Sequence, residues 1–355
     1  MLIVVRREVE YGFFVVAQAL AVEVCDDPRA GPLAGWDELV RACCAPVFYR
    51  SDYLAAYHDF PLADLEQVGY LVVRDPASDR PLAVVPVAVH RRSDPLAVLR
   101  RIHPGIEHEA VLLSHVWHCY DTQLVGSVDR RDVVAAILAA MGDLASSWRV
   151  RWFGFVNVER GGATASALSA AGMPGAHMID RFSTDLTGLT DLDGYLRRLG
   201  TRARANLTRS ARRAAETGIT TAVVGPADAD LAEIAELCGR TAARFGNAGF
   251  YPAQTFASFV TALGPLVHIV QIRQRGRLVA VGVCLTDERR FHTWTCGVDY
   301  DVSGNASPYA LLFAESVAQA IRLGLPVLEG GRSNEQFKQR HGLTGRHLDA
   351  HLARA

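Results

Sequence analysis

The chain has no long hydrophobic run, no paired-cysteine motif and no excess of charge of one sign, and each absence removes a class of protein. A helix that crosses a bilayer needs about 20 consecutive apolar residues. The nearest approach is Tyr11 to Val22, which is shorter and is interrupted by Gln18. Ala17 to Ala21 could pass for a signal-peptidase site, but Glu8 and Glu10 break the basic stretch before it. An extended leader or first strand over residues 1–18 fits better than a secretory signal, and no membrane span is expected. The seven cysteines (25, 43, 44, 119, 238, 284 and 296) form no C-x-x-C pair and no zinc spacing. Several lie in apolar runs such as Val281-Gly-Val-Cys-Leu, the pattern of reduced core thiols in a cytoplasmic protein. There is no G-x-S-x-G elbow, no Walker loop and no G-x-G-x-x-G fingerprint, which removes the commonest hydrolase and nucleotide-binding readings.

What is present is a globular chain of 355 residues, half of them hydrophobic and about a fifth charged, enough for two ordinary domains. Tyr70 to Pro76 and Arg80 to His90 read as a hairpin around the turn Asp75–Asp79. Asp129 to Ser147 has helical spacing, with Val133, Ile137, Leu138 and Met141 on one side, and Trp152 to Val156 is a buried strand. A second alternation begins near Leu186 with a helical, basic segment over 191–217 and an amphipathic helix over 228–245. Three strands follow, Leu266–Arg273, Leu278–Thr286 and Arg290–Val298, then a helix Pro308–Leu323 that opens on proline and ends at Gly324, then a strand Pro326–Glu329. The expected fold is α/β (α+β), with a mixed, mostly antiparallel sheet flanked by helices in each of two domains, 1–185 and 186–355.

Although the net charge is only −1, the basic segment carries Arg197, Arg198, Arg202, Arg204, Arg209, Arg212 and Arg213 with no acid between Asp193 and Glu216. Such density repels itself unless an anion lies close, so a phosphate-rich ligand is one reading and a solvated helix face the other. The segment Glu329-Gly-Gly-Arg-Ser-Asn-Glu-Gln-Phe-Lys places paired glycines, cations and an apolar wall together, a composition suited to holding an acyl or phosphate group. The run His103 to His118 has four histidines and two glutamates, but Pro104-Gly105 breaks it and no metal-ligand spacing appears. No metal is expected, and the run is read as a loop lining an acceptor cleft.

Three stretches, together covering about residues 190–350, resemble the GNAT superfamily and its FemAB-like branch of tandem GNAT-type domains. They are the basic helix Tyr195 to Gly218, the hairpin Arg273 to Gly282 leading to Gly297-Val-Asp and Ser307-Pro-Tyr, and Gly331-Arg-Ser followed by Phe337-Lys338 and Gly342. The resemblance implies two tandem GNAT-like domains and amide formation by attack of an amine on an activated carbonyl. It implies acyl-CoA as donor, with aminoacyl-tRNA the alternative, and a small or carrier-linked amine as acceptor. A non-catalytic anion- or nucleic-acid-binding protein of the same fold is the rival from another class. The Q/R-x-x-G-x-G/A loop of simple GNAT enzymes is absent; in its place stands Asp301-Val-Ser-Gly-Asn-Ala-Ser-Pro-Tyr, where Ser303, Gly304, Asn305 and Ser307 are the candidate donor-binding residues. Arg204 and Asn206, with Arg332, Ser333, Phe337 and Trp294, are the expected substrate contacts. Lys338 matches the family position that stabilises the oxyanion or holds donor phosphate. Glu329 and His292 are the candidate bases, and Tyr309 the candidate donor to the leaving group.

Overall fold

The computed structural model describes residues 2–4, 20–301 and 307–355, and the chain divides into two units, Met1–Ile179 with His347–Ala355, and Asp180–Arg346. Most of the leader expected over 1–18, and the donor-loop candidates Ser303, Gly304 and Asn305, lie outside the described residues.

In the first unit the apolar strands Leu65–Arg74 and Pro81–His90 fold onto one another around the expected turn. Asp75 closes it by accepting from the amides of Ala77 (2.9 Å, side chain) and Asp79 (2.8 Å, backbone), and Asp79 takes the left-handed conformation (φ 57°) that short polar residues tolerate. Pro81–His90 is covered on both faces, which is why it reads as an almost unbroken apolar run. The neighbouring strands pair antiparallel with one exception: Val111–Ser114 runs parallel to Trp152–Glu159. A parallel neighbour needs a crossover, and the helix Arg131–Ser147 supplies it, burying Val133, Ile137, Met141 and Leu144 at helical spacing.

Two histidines of this core are held neutral. Burial, with the charges of His118 and His115, brings His90 down to about 3, and burial brings His115 down to about 4. Neither ring nitrogen of His90 has a hydrogen-bond partner. The unfolded imidazole takes its proton below about 6.5, the native one only near 3, so native stability falls as pH drops through that window. His90→Leu should therefore shrink the loss of melting temperature between pH 7 and pH 5, which thermal melts at the two pH values would check.

The second unit repeats the order of three strands, helix and strand. Val267–Gln274, Arg277–Thr286 and Arg290–Val298 form an antiparallel meander, and Ile219–Val224 pairs with Val267–Gln274. Arg275 (φ 51°) and Gly276 (φ 83°) make the first turn, both in the left-handed region that a tight hairpin requires. The helix Pro308–Arg322 crosses over to Val327–Arg332, parallel to Arg290–Val298 and antiparallel to Ala176–Asp185. The helix Leu231–Arg244 lies hard against the third strand of the meander. A Cβ on Gly297 would sit 2.7 Å from the Leu237 carbonyl carbon and 2.8 Å from the Cys238 nitrogen. Gly297→Ala is expected to cost about 1–3 kcal/mol, measurable as a lower urea midpoint, because backbone rather than a movable side chain must yield.

The basic segment expected as one helical region is two helices, Leu192–Arg198 and Thr201–Glu216, parted where Leu199 turns extended. Periodicity alone did not mark the break, because the Arg-rich pattern continues through it. Among the elements absent from the sequence reading are the helix Ala253–Leu263 and the strands Ala176–Asp185 and Thr344–Arg354, which pair with Val327–Arg332 and Trp152–Glu159 respectively, far away in sequence. Among the described residues no helix is long and apolar enough to cross a membrane.

Candidate active site

The parallel strands of the second unit pair over only Arg290–His292 and Val327–Glu329. Thr293 Oγ1 donates to the Glu329 carbonyl at 2.9 Å where the pairing stops. Both strands continue past that point without bonding each other, so residues 294–298 and 330–334 form the two walls of a notch. The second wall turns sharply: Gly331, Ser333 and Asn334 have φ of 67°, 67° and 54° and feed the chain into the short helix Glu335–Arg340. Gly330 has no room for a side chain, since a Cβ there would meet Leu343 Cδ2 at 2.4 Å. The paired glycines thus let the wall pack close, while the left-handed turn aims the next helix back at it.

That helix delivers Lys338. Its Nζ donates to the carbonyls of Gly331 (3.1 Å) and Arg332 (2.6 Å) and lies 5.5 Å from the centre of the Phe182 ring. Lys338 is 5% exposed and is brought down from 10.5 to about 7, by burial first and then by Arg332; the charges of Cys296 and Glu329 oppose the shift. It is also the single lysine among the 37 Lys and Arg residues of the chain, a signal available from the sequence by counting.

Phe337, Tyr309 and Phe313 cluster beside it, with ring centres 4.8 Å apart for Tyr309–Phe337 and 5.5 Å for Phe313–Phe337. The Tyr309 hydroxyl bonds to the Asn334 side chain, and burial raises its ionisation well above 10. It therefore stays protonated and able to donate. His341, outside the sequence-derived candidates, stacks on Phe337 at 3.9 Å and directs Nδ1 to the Phe337 carbonyl at 2.8 Å. Cys296 was missed as well; it is half-buried in the first wall, where burial raises its thiol and Lys338 partly opposes that shift. Ser333 is exposed on the turn and Arg332 half-buried beside it. Ser307 caps the helix Pro308–Arg322, accepting from the Ala310 amide at 3.3 Å.

Other candidates are placed deeper. His292 is fully buried and its Nε2 meets Asp287 Oδ2 at 2.9 Å, with Arg290 at 3.4 Å from the same oxygen. Glu329 is 4% exposed and 3.9 Å from Arg181. Trp294 packs among Tyr251, Phe256 and Phe259 with ring centres 5.6–5.9 Å away. Arg204 and Asn206 project from the exposed side of Thr201–Glu216, whose other side buries Ala203, Leu207, Ser210 and Ala214.

The first unit has the same strand parting but fills it with its own chain. After Ser114 the polypeptide runs between the strands, where the Thr122 amide donates to the Asn157 carbonyl (3.0 Å), Asn157 Nδ2 donates to the Cys119 carbonyl (2.8 Å), and Thr122 bridges Val158. The histidine-rich run is dispersed: His103 lies 4.9 Å from the Trp152 ring, His108 is exposed, and His115 and His118 are buried. Among the described residues of the second unit no such bridge crosses the parting.

A mixed, mostly antiparallel sheet with one parallel, parting strand pair in each unit is the tandem GNAT fold. Residues 201–339 match the family described as Acetyltransferase (GNAT) domain. The fold is similar to that of FemX, at 9% identity and a TM-score of 0.64 over 92% of this chain and 96% of that one. It is also similar to a tandem GNAT protein from the clavulanic acid biosynthesis pathway (13% identity, TM-score 0.56, 94% and 98% covered). The L-PGS of Bacillus licheniformis is another such structure (13% identity, TM-score 0.56, 92% of each chain). No curated protein matches the sequence.

Proposed function

We propose that the protein is an N-acyltransferase that joins an activated acyl group, carried by acyl-CoA, to an amine. The observation that carries this reading is Lys338 at the edge of a notch whose counterpart in the first unit is filled. An acyl carbonyl entering between the parted strands meets a buried amine held by two carbonyls, with Tyr309 and Phe337 alongside. In its charged form Lys338 favours the oxyanion that develops as the acceptor attacks, an effect made strong by low local polarity. Tyr309 supplies a proton to the departing thiolate. The acceptor is a small or carrier-linked amine, the compartment is the cytoplasm, and no metal takes part.

Aminoacyl-tRNA is the second donor reading. It is favoured by the exposed, acid-poor arginine face of Thr201–Glu216, where Arg212 pairs with Glu216 at 3.7 Å. The test is a melting comparison with acetyl-CoA, free CoA and a charged tRNA pool, followed by transfer assays on primary amines. A ligand at a hundredfold excess over its Kd stabilises by about 2.7 kcal/mol. A rise with CoA compounds supports the first reading; a rise with charged tRNA alone, lost in Arg204→Ala, supports the second. No shift and no transfer would leave a non-catalytic binding protein.

A further inference from the structure

We propose that the acceptor amine carries a planar aromatic ring, which stacks on Phe245 and Tyr300 at the end of the notch's first wall. This rests on the acyltransferase reading above and names the class of its acceptor.

Among the described residues the large hydrophobic side chains that stand exposed are Phe245 (65%), Tyr300 (46%) and Leu323 (42%), and the first two form a pair. Their rings meet edge to face with centres 6.3 Å apart, and the Arg244 guanidinium lies over the Tyr300 ring at 4.6 Å. A single exposed apolar residue is ordinary, and Leu323 is one; two aromatic rings exposed together mark a binding place. The pair is fixed to the wall. Thr241 Oγ1 donates to the Val298 carbonyl at 3.3 Å and accepts from the Val298 amide at 2.8 Å, tying the end of the helix Leu231–Arg244 to the end of residues 294–298. Phe245 caps that helix four residues past Thr241, on the same side, and Tyr300 follows Val298 by two residues.

Charge decides which substrate brings the ring. The pair stands at a helix C-terminus, whose free carbonyls carry partial negative charge. Arg244, in the last turn, offsets those carbonyls and has its flat face committed to Tyr300, so no surplus cation is left to draw phosphate. The adenine of CoA brings its phosphates with it, and these are better matched by the N-terminus of Pro308–Arg322, where amides point outward beside Ser307. The amine acceptor, by contrast, is a cation in water, and aromatic faces and helix C-termini both favour cations. Once its ring is seated, the amine attacks as the free base. A C–N bond forms, the bond from the acyl carbon to the CoA sulfur breaks, and the proton the nitrogen gives up ends on that sulfur.

The experiment is steady-state transfer from acetyl-CoA by the full chain to 2-phenylethylamine and to hexylamine, which is apolar but has no ring. The expected result is a kcat/KM about tenfold higher for the ringed amine. Phe245→Leu, which keeps apolar bulk without a ring, and Tyr300→Ala should each lower that ratio by about three- to tenfold, the range of one aromatic pair, through KM rather than kcat. Leu323→Ala, an exposed apolar residue elsewhere, should leave the ratio where it is. A ratio near one in the wild type, or a wild-type ratio in both Phe245→Leu and Tyr300→Ala, overturns the proposal and leaves the acyltransferase reading standing. So does a rise in KM for acetyl-CoA with the ratio unmoved, which would give the rings to the donor's adenine. No transfer from acetyl-CoA to any primary amine overturns both.

Discussion

Lys338→Arg is expected to lower kcat for acyl transfer by about 100-fold or more, within the usual range for losing a general base or an oxyanion donor. The substitution keeps the positive charge and so separates two roles. Charge alone survives the change; placement does not, because the larger planar guanidinium cannot sit on the Gly331 and Arg332 carbonyls as the compact ammonium does. The pH profile should agree. With Lys338 brought down to about 7 by burial, the charged form that favours the oxyanion is lost above that pH, so wild-type kcat/KM should fall on the alkaline side of 7. Stability should carry the same signature. The unfolded lysine holds its proton up to about 10.5 while the native one gives it up near 7, so the unfolded state binds more protons between those values and the native state gains stability as pH rises through them. Lys338→Met removes that gain. The difference in urea midpoint between the two proteins should move in the wild type's favour on going from pH 7 to pH 9.5.

Asp287→Ala is expected to cost about 3–5 kcal/mol, the range for stripping one partner from a buried ionic group. Asp287, 7% exposed, accepts the amides of Arg289 and Arg290 at 2.9 and 2.8 Å and holds His292 and Arg290 by its other oxygen. Burial alone would raise its ionisation; the hydrogen bond and charge of His292, the charge of Arg290 and the backbone amide outweigh this and bring it from 3.8 down to about 2. A carboxylate depressed in the native state contributes stability above about 3.8 that disappears as pH falls toward 2. The wild type should thus lose melting temperature between pH 4.5 and pH 2.5, and Asp287→Ala should start lower and lose less over that interval. The same cluster fixes the start of the strand that leads to Cys296. A residual effect of Asp287→Ala on kcat at a temperature where it remains folded would report on the geometry of the notch wall.

Much of the second unit was legible because its elements are locally determined. The Arg275-Gly276 turn, the proline-opened helix before Gly324 and the Gly-rich segment after Glu329 each state their conformation in a few residues. The motif around Lys338 was legible too, and counting would have singled that residue out still more sharply. What could not be read was depth. His292 and Trp294 alternate along a strand as surface-facing candidates would, yet one is locked to Asp287 and the other lies among three aromatic rings. Period-two spacing tells which residues share a face but not whether that face meets solvent or a helix.

By itself the sequence determined the class of fold, the positions of the hairpins and crossover helices, and the segment that carries Lys338. Only the tertiary structure decided that the strands part beyond His292 and Glu329, that the first unit bridges its own parting at Thr122, and that Lys338 reaches back to the carbonyls of Gly331 and Arg332. Each of these depends on which distant residues pair or fail to pair. A strand's own residues are compatible with either outcome, because backbone bonding between strands is set by their neighbours and not by the strand alone.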